Sequence, residues 1–376
     1  MRKKADERRV VITFSVASFL NDLGSNIVHP LWPMFVTSVL GLNTTLLGLI
    51  DGIGDALHSI SRAISGYLSD KIGRRKPFIW IGYLLGSLAR VGYAFSSTWW
   101  HLALLKSLDR LGKLRGAPRD AMIAEVSTKK TRGKNFGILR MMDNLGGVCG
   151  ILISIFLLNF LKYRSLFLLA SLPSLIGVLL ILVFIKDVHR KVKKKFKLKL
   201  LGKRYRKFLI ASMLFYLGYF SYSFLLLYAN SLGFSERFLP IFYLLFTFIA
   251  SVFSTPFGKA SDIVGRKTTL LLSYSFWIVV LLTAIVFKAK IAPFLAFFFY
   301  GLQKAAQEPS ERAFISELSP KRFRATGIGT FQMLVGLCAL PASLIVGHLW
   351  NAYGMNVAFS FSLLTSLASF IALLKV

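Results

Sequence analysis

Apolar runs of about twenty residues recur along the chain, interrupted by short charged loops, and one of them, Leu166 to Ile185, carries no charge at all. A run of that length crosses the hydrocarbon core of a bilayer as a helix. Hydropathy and loop signals predict twelve such spans, near 11–40, 45–69, 77–97, 99–126, 134–161, 165–185, 207–230, 238–257, 268–287, 291–317, 322–350 and 355–374. The pattern is that of an all-α, multi-pass membrane protein. The basic start "MRKKADERR" is followed by an apolar stretch that carries Asn21, Asp22 and His29 and is too long for a signal-peptide core, so it predicts a retained first helix.

Composition agrees, with 55% of residues hydrophobic and 17% charged. A net charge of +31 would point to nucleic acid in a soluble protein. Here the cations fall in alternate loops, twelve of them in 186–207, whereas the intervening loops hold only Lys162, Arg164, Arg237, Lys288 and Lys290. That alternation is the positive-inside rule, and it predicts a plasma-membrane protein with both termini cytoplasmic and no nucleic-acid partner. Cys149 and Cys338 fall inside predicted helices, with no metal-thiolate spacing and no expected disulfide. No metal or cofactor is expected.

The chain also repeats itself. "GYLSDKIGRRKPF" (Gly66 to Phe78) returns as "GKASDIVGRKTTL" (Gly258 to Leu270), an offset of 192 residues. At the same offset Arg119 to Met141 matches Glu311 to Met333 at eight of 23 positions, so the chain reads as a duplicated six-helix unit. The predicted domains are a bundle over 1–185, a basic cytoplasmic linker over 186–207 that lies near anionic lipid headgroups, and a second bundle over 208–376.

Two pseudo-symmetric six-helix bundles joined by a cytoplasmic loop resemble the major facilitator superfamily. The resemblance is specific at that superfamily's loop signature G-x-L-a-D-r-x-G-r-k, matched by Gly66, Leu68, Asp70, Gly73, Arg74 and Arg75, and in the second copy by Gly258, Asp262, Gly265, Arg266 and Lys267. The resemblance implies a gating latch in each half, formed by Gly66, Asp70, Gly73 and Arg74 and by Gly258, Asp262, Gly265 and Arg266. A topology-fixing turn is the plainer account of the same residues. Further stretches resemble a bacterial and archaeal branch with largely unassigned substrates, which carries N-D-x-x-S-E in helix one, D-R-x-G-K-G-x-R-x-x-P-R-D-A in helix four and R-x-M-D in helix five. Asn26 stands where that pattern has Glu, and helix four is one residue short between Lys113 and Arg115. That deletion rotates the rest of the helix by about 100° unless the backbone locally re-winds.

Ionisable residues inside spans mark a pathway or a paired network. Asp22, Asn26 and His29 on helix one, Asp51, Asp55, His58 and Arg62 on helix two, Lys106, Asp109, Arg110 and Lys113 on helix four, and Arg140 and Asp143 on helix five step by three or four residues into polar stripes. Of these, Asp22, Asp55, Arg110 and Asp143 lie about 15 Å deep, near the midplane. Asp22, Asp55, His58, Arg110, Arg140 and Asp143 are the candidates for a central cavity and proton coupling. One neutralised structural network is the competing account. Arg119, Asp120, Glu125 and Arg132, with Glu311, Arg312, Glu317 and Arg324, are expected to form ion pairs that support the latches. Gly146 and Gly150 in helix five match part of an antiporter stretch and equally well a helix-packing face.

At the 192-residue offset Asp22 maps to Leu214, Asp55 to Thr247, Arg110 to Leu302 and Asp143 to Val335, which predicts coupling in the first bundle and an aromatic solute pocket in the second. There is no phosphate-binding G-K-[ST] loop and no H-E-x-x-H, so no enzyme and no ATP-driven pump is expected. The resemblance implies a secondary active transporter for a small organic solute, working by alternating access and coupled to protons as an efflux antiporter. A proton symporter, an organic-anion exchanger and a non-transporting membrane module on the same fold stay open.

Overall fold

The computed structural model describes residues 2–128, 131–187, 202–319 and 324–376; side chains are described for these except at 2–6, 62–63, 66–67, 70, 132–134, 137 and 324–326. Among the described residues every regular element is helical: α1 Arg2–Val28, α2 Thr44–Ile72, α3 Lys76–Phe95, α4 in two parts (Trp99–Leu111 and Gly116–Val126), α5 Arg132–Leu157, α6 Tyr163–Phe184, α7 in two parts (Lys203–Gly218 and Tyr222–Ser231), α8 Leu239–Val264, α9 Arg266–Val286, α10 Ala292–Leu318, α11 Arg324–Tyr353 and α12 Met355–Leu374. Nine of these spans are long and apolar enough to cross a membrane by composition alone. The other three carry ionisable residues through their length: Asp51, Asp55 and His58 in α2, Lys106, Asp109, Arg110 and Lys113 in α4, and Lys304, Glu308, Glu311 and Arg312 in α10. Chemistry, not length, lowers their hydropathy.

The first span ends earlier than its apolar pattern, because Pro30 has no N–H to continue the ladder. After Val28 the chain turns through Trp32–Met34 and a single π-helical stretch, Phe35–Val39.

The chain divides into two compact units, one of 1–32 and 57–194, the other of 33–56 and 195–376. The first half of α2 therefore belongs with the C-terminal helices, although the sequence repeat assigns all of α2 to the first copy. Of the predicted linker, 188–201 lie outside the described residues.

In the first unit Val11, Phe14 and Ala17 of α1 pack with Ile79 and Tyr83 of α3, Met122 and Ile123 of α4, Leu139 of α5, and Val178 and Ile181 of α6. Gly146 and Gly150 bring α5 onto α1 so closely that a Cβ at either would strike the backbone oxygen of Phe19 or Leu23. The glycine pair is a packing face. At the start of α3, Asp187 Oδ1 accepts from the backbone N–H groups of Arg75 and Lys76, each at 3.1 Å, an anion on a helix N-terminus.

The second unit is aromatic. Phe215 stacks on Tyr274 at 3.9 Å between centroids and Phe220 on Phe359 at 5.0 Å, with Trp277, Tyr219 and Tyr300 beside them. Small residues again set helix approach: a Cβ on Gly48 would strike Ser343, and one on Gly347 would strike Thr44.

Candidate functional site

One face of α1 carries Ser18, Asn21, Asp22, Ser25 and His29, and the first unit builds a charged column against it. In its middle the Asp22 carboxylate, whose side chain is 27% exposed, lies 3.9 Å from Arg115 and accepts from Asn21 Nδ2 at 2.9 Å. Asn26, which replaces the branch's Glu, donates instead to the Asp22 backbone carbonyl at 2.8 Å. Arg115 also lies 4.7 Å over the Tyr83 ring.

Toward the N-terminal end of α1, Arg119 donates to Ser18 Oγ and, at 3.1 Å, to Asp120. It stands 3.7 Å from Asp143, which pairs with Arg140 at 3.2 Å, and Arg140 in turn reaches Asp120 at 3.5 Å. The i,i+3 pair that the sequence stripe implies is therefore present, as one edge of a four-membered ring of two acids and two arginines.

Toward the other end, Arg90 is buried at 2% exposure. Its guanidinium donates to Ser174 Oγ, to Ser25 Oγ at 2.6 Å and to Asn21 Oδ1 at 3.2 Å, and lies 3.8 Å from Asp109. Lys106 sits 3.7 Å over the Trp32 ring. Ser25, His29, Arg90, Lys106 and Asp109 border a void of about 10 Å³, the size of one water. In the sequence Arg90 is a single cation in an apolar span, because its partners come from α1, α4 and α6. Near His58 and Arg110, Ser61 Oγ lies 3.1 Å from the His58 carbonyl one turn back in its own helix and 3.2 Å from the Arg110 carbonyl of α4, so its one hydrogen is shared between them.

The missing residue of helix four is taken up where the sequence says it must be. Gly112–Arg115 is a 3₁₀ turn joining the two parts of α4. Four residues at 120° rather than 100° each recover about 80° of the 100° lost. Arg115 and Arg119 thereby face the column.

Asp51 and Asp55 fall in the second unit. Asp51, buried at 3% exposure, accepts from Ser221 Oγ at 2.8 Å and Ser223 Oγ at 2.6 Å. Both serines lie where α7 breaks, and Ser221 caps the helix that restarts at Tyr222. The sequence pattern predicts one continuous helix there. Asp55 belongs with Glu308 and Glu311 to the acids around Lys304, whose ammonium lies 4.9 Å over the Tyr219 ring. Along α10, Tyr300, Gln303, Gln307 and Glu311 form a second polar stripe: Tyr219 donates to Tyr300 at 3.0 Å, and Gln307 and Tyr216 both donate to Glu311, at 3.1 and 3.2 Å. Glu311 thus sits among neutral donors rather than in the expected ion-pair network.

In the loops, Gly73 and Gly265 both take positive φ. Arg266 pairs with Asp262 in its own loop and with Glu317 at 3.1 Å, while in the first copy Arg75, the neighbour of the exposed Arg74, pairs with Glu125 at 2.6 Å. Among the described residues, a Cβ on Gly258 would meet Pro309 at ordinary contact distance. Gly66 and Asp70 fall in α2, but their surroundings lie outside the described side chains, as do those of Arg132 and Arg324.

The family model described as Major Facilitator Superfamily matches residues 14–235 and again 208–376. The chain belongs to the Major Facilitator Superfamily. It is 36% identical, over 91% of its length and 88% of the relative's, to an uncharacterized MFS-type transporter of Methanocaldococcus jannaschii. It is 25% identical to the multi-drug resistance efflux pump PmrA of Streptococcus pneumoniae, over 96% of this chain and 95% of the pump. In fold it is similar to a crystal structure of the nucleoside transporter NupG, with a TM-score of 0.81 at 16% identity over 97% and 98% of the two chains. This major facilitator protein is a multi-pass membrane transporter, not an enzyme, of a prokaryotic branch with unassigned substrates.

Proposed function

We propose that this transporter exports a small organic solute in exchange for protons, by alternating access, with both termini in the cytoplasm. The observation that carries the reading is the column in the first unit, where Asp22 lies 3.9 Å from Arg115 and Asp143 is shared between Arg119 and Arg140. A carboxylate so placed can take up a proton when its arginine turns to another partner, and each has one at hand. Asp22, Asp55 and Asp143 are the proposed proton carriers, and His58, Arg110 and Arg140 are proposed to line the solute pathway. Likeness to a multidrug efflux pump over nearly the whole chain supports the outward direction. The loop residues Asp70, Arg74, Asp262 and Arg266 with their glycines are proposed as latches, and the basic stretch 186–207 as a strip on anionic headgroups, about 1 kcal/mol per near-surface cation.

Anion exchange is a second reading, favoured by Arg90, Lys106, Arg115, Arg119 and Arg140 outnumbering Asp22, Asp109, Asp120 and Asp143 in the column. Flux of a panel of organic cations, anions and neutral solutes into proteoliposomes, with and without an imposed pH gradient, separates the two. Proton antiport requires uphill movement that reverses with the gradient; anion exchange requires counter-anion and no gradient.

A further inference from the structure

Glu311 differs in kind from the acids of the charged column. Asp22, Asp109, Asp120 and Asp143 each lie within 4 Å of an arginine, and an adjacent guanidinium favours the ionised carboxylate. Glu311 is 8% exposed, sits on α10 inside the second unit, and forms no ion pair among the described residues. Its oxygens accept from Tyr216 Oη, 3.3 Å from Oε1 and 3.2 Å from Oε2, and Oε2 also accepts from Gln307 Nε2 at 3.1 Å. Gln307 Nε2 is within 3.1 Å of Tyr216 Oη as well, and Gln303 donates to Gln307 Oε1.

We infer that Glu311 is a second proton-binding site of this transporter, held at the end of a hydrogen-bonded chain of Tyr216, Gln307 and Gln303. Burying a carboxylate whose hydrogen-bond partners are all neutral makes its ionised form expensive, whereas the neutral acid fits the same pocket without a counter-charge in contact. Tyr216 accommodates either state, because a phenol donates to a carboxylate and accepts from a carboxylic acid. The charged and titratable groups around this site are Lys304, Glu308 and Tyr300 on α10, Asp55 on α2, Tyr216 and Tyr219 on α7, and Tyr274 on α9. Of these Lys304 is the cation, and it sits over the Tyr219 ring rather than within ion-pairing distance of Glu311.

In the 192-residue repeat Glu311 is the equivalent of Arg119 and Gln307 the equivalent of Arg115. The same two stripe positions are thus cationic in one unit and acidic or neutral in the other. A proton on Glu311 changes the charge of the aromatic unit, and one on Asp22 or Asp143 changes the charge of the column.

The inference extends the proton-coupling reading, and its test needs no solute. Infrared difference spectra of the purified transporter in lipid are recorded between acid and alkaline buffer, in the protonated-carboxyl stretching region. Glu311→Gln is expected to remove one titrating band that Asp22→Asn and Asp143→Asn retain, and Tyr216→Phe to displace the midpoint of that band. Tyr216→Phe keeps the carboxylate and the ring, so it reports even where Glu311→Gln folds poorly. If the spectra of Glu311→Gln and Tyr216→Phe both match the parent at every pH, the inference is overturned. A band lost in Glu311→Gln in a protein that shows no proton-driven flux would leave Glu311 a proton site and overturn the coupling reading alone.

Discussion

Gly73 and Gly265, 192 residues apart, both take positive φ at the same place in the two loop signatures, 76° and 96°. A side chain at such a φ costs about 1–3 kcal/mol. Gly73→Ala and Gly265→Ala are each expected to lower the unfolding temperature of the detergent-solubilised protein. Gly329→Ala, whose Cβ would meet nothing among the described residues, is expected to leave it unchanged.

Helix contact in the first unit depends on the absence of side chains at the α1–α5 crossing. Gly150→Ala drives a methyl into the Leu23 carbonyl, a backbone atom that cannot step aside, and is expected to destabilise by about 1–3 kcal/mol. Gly116→Ala, with nothing among the described residues within 4 Å, is the matched control and should be neutral. Thermal unfolding of the two variants side by side measures the difference.

Arg90 holds the column together from α3. Arg90→Met leaves Asp109 buried without that guanidinium and strands Asn21, Ser25 and Ser174, an expected loss of about 3–5 kcal/mol. Adding Asp109→Asn should restore part of it. A double-mutant cycle on unfolding temperature reads the coupling, and strict additivity would show that the two side chains do not act together.

The latch proposal separates turnover from binding. The Asp262 side chain is 61% exposed and Glu317 55%, so their pairs with Arg266 add at most about 1 kcal/mol to stability. Arg266→Gln should therefore barely alter unfolding, slow solute turnover, and leave solute affinity within a few-fold. A large loss of affinity at normal turnover would place Arg266 in the solute site instead.

Much of this architecture was legible in the sequence because membrane helices announce themselves by length and charge. The twelve spans, the duplicated loops, the Arg140 and Asp143 step and the strained register of helix four are all consequences of periodicity along a single helix. What periodicity misses is chemistry assembled between helices. Arg90 is one cation in an apolar run, and its role exists only because Asn21, Ser25, Ser174 and Asp109 arrive from three other helices. The break in α7 was equally hidden, since "GYFSYS" is apolar enough to continue a span. Its reason is tertiary: Gly218 lies hard against Ser362 and Thr365 of α12, and the serines beyond it turn to Asp51. Asp51 and Asp55 likewise read as first-copy residues, yet compactness groups them with the aromatic unit.

Proton coupling through buried carboxylates stands or falls on single neutralisations. Asp22→Asn, Asp55→Asn and Asp143→Asn are reconstituted separately with a solute found active in the panel, and two rates are compared: uphill movement driven by a pH gradient, and exchange of labelled for unlabelled solute without one. At least one variant is expected to lose uphill movement while exchange continues near the parent rate. Uphill movement at the parent rate in all three would rule these carboxylates out as the proton carriers.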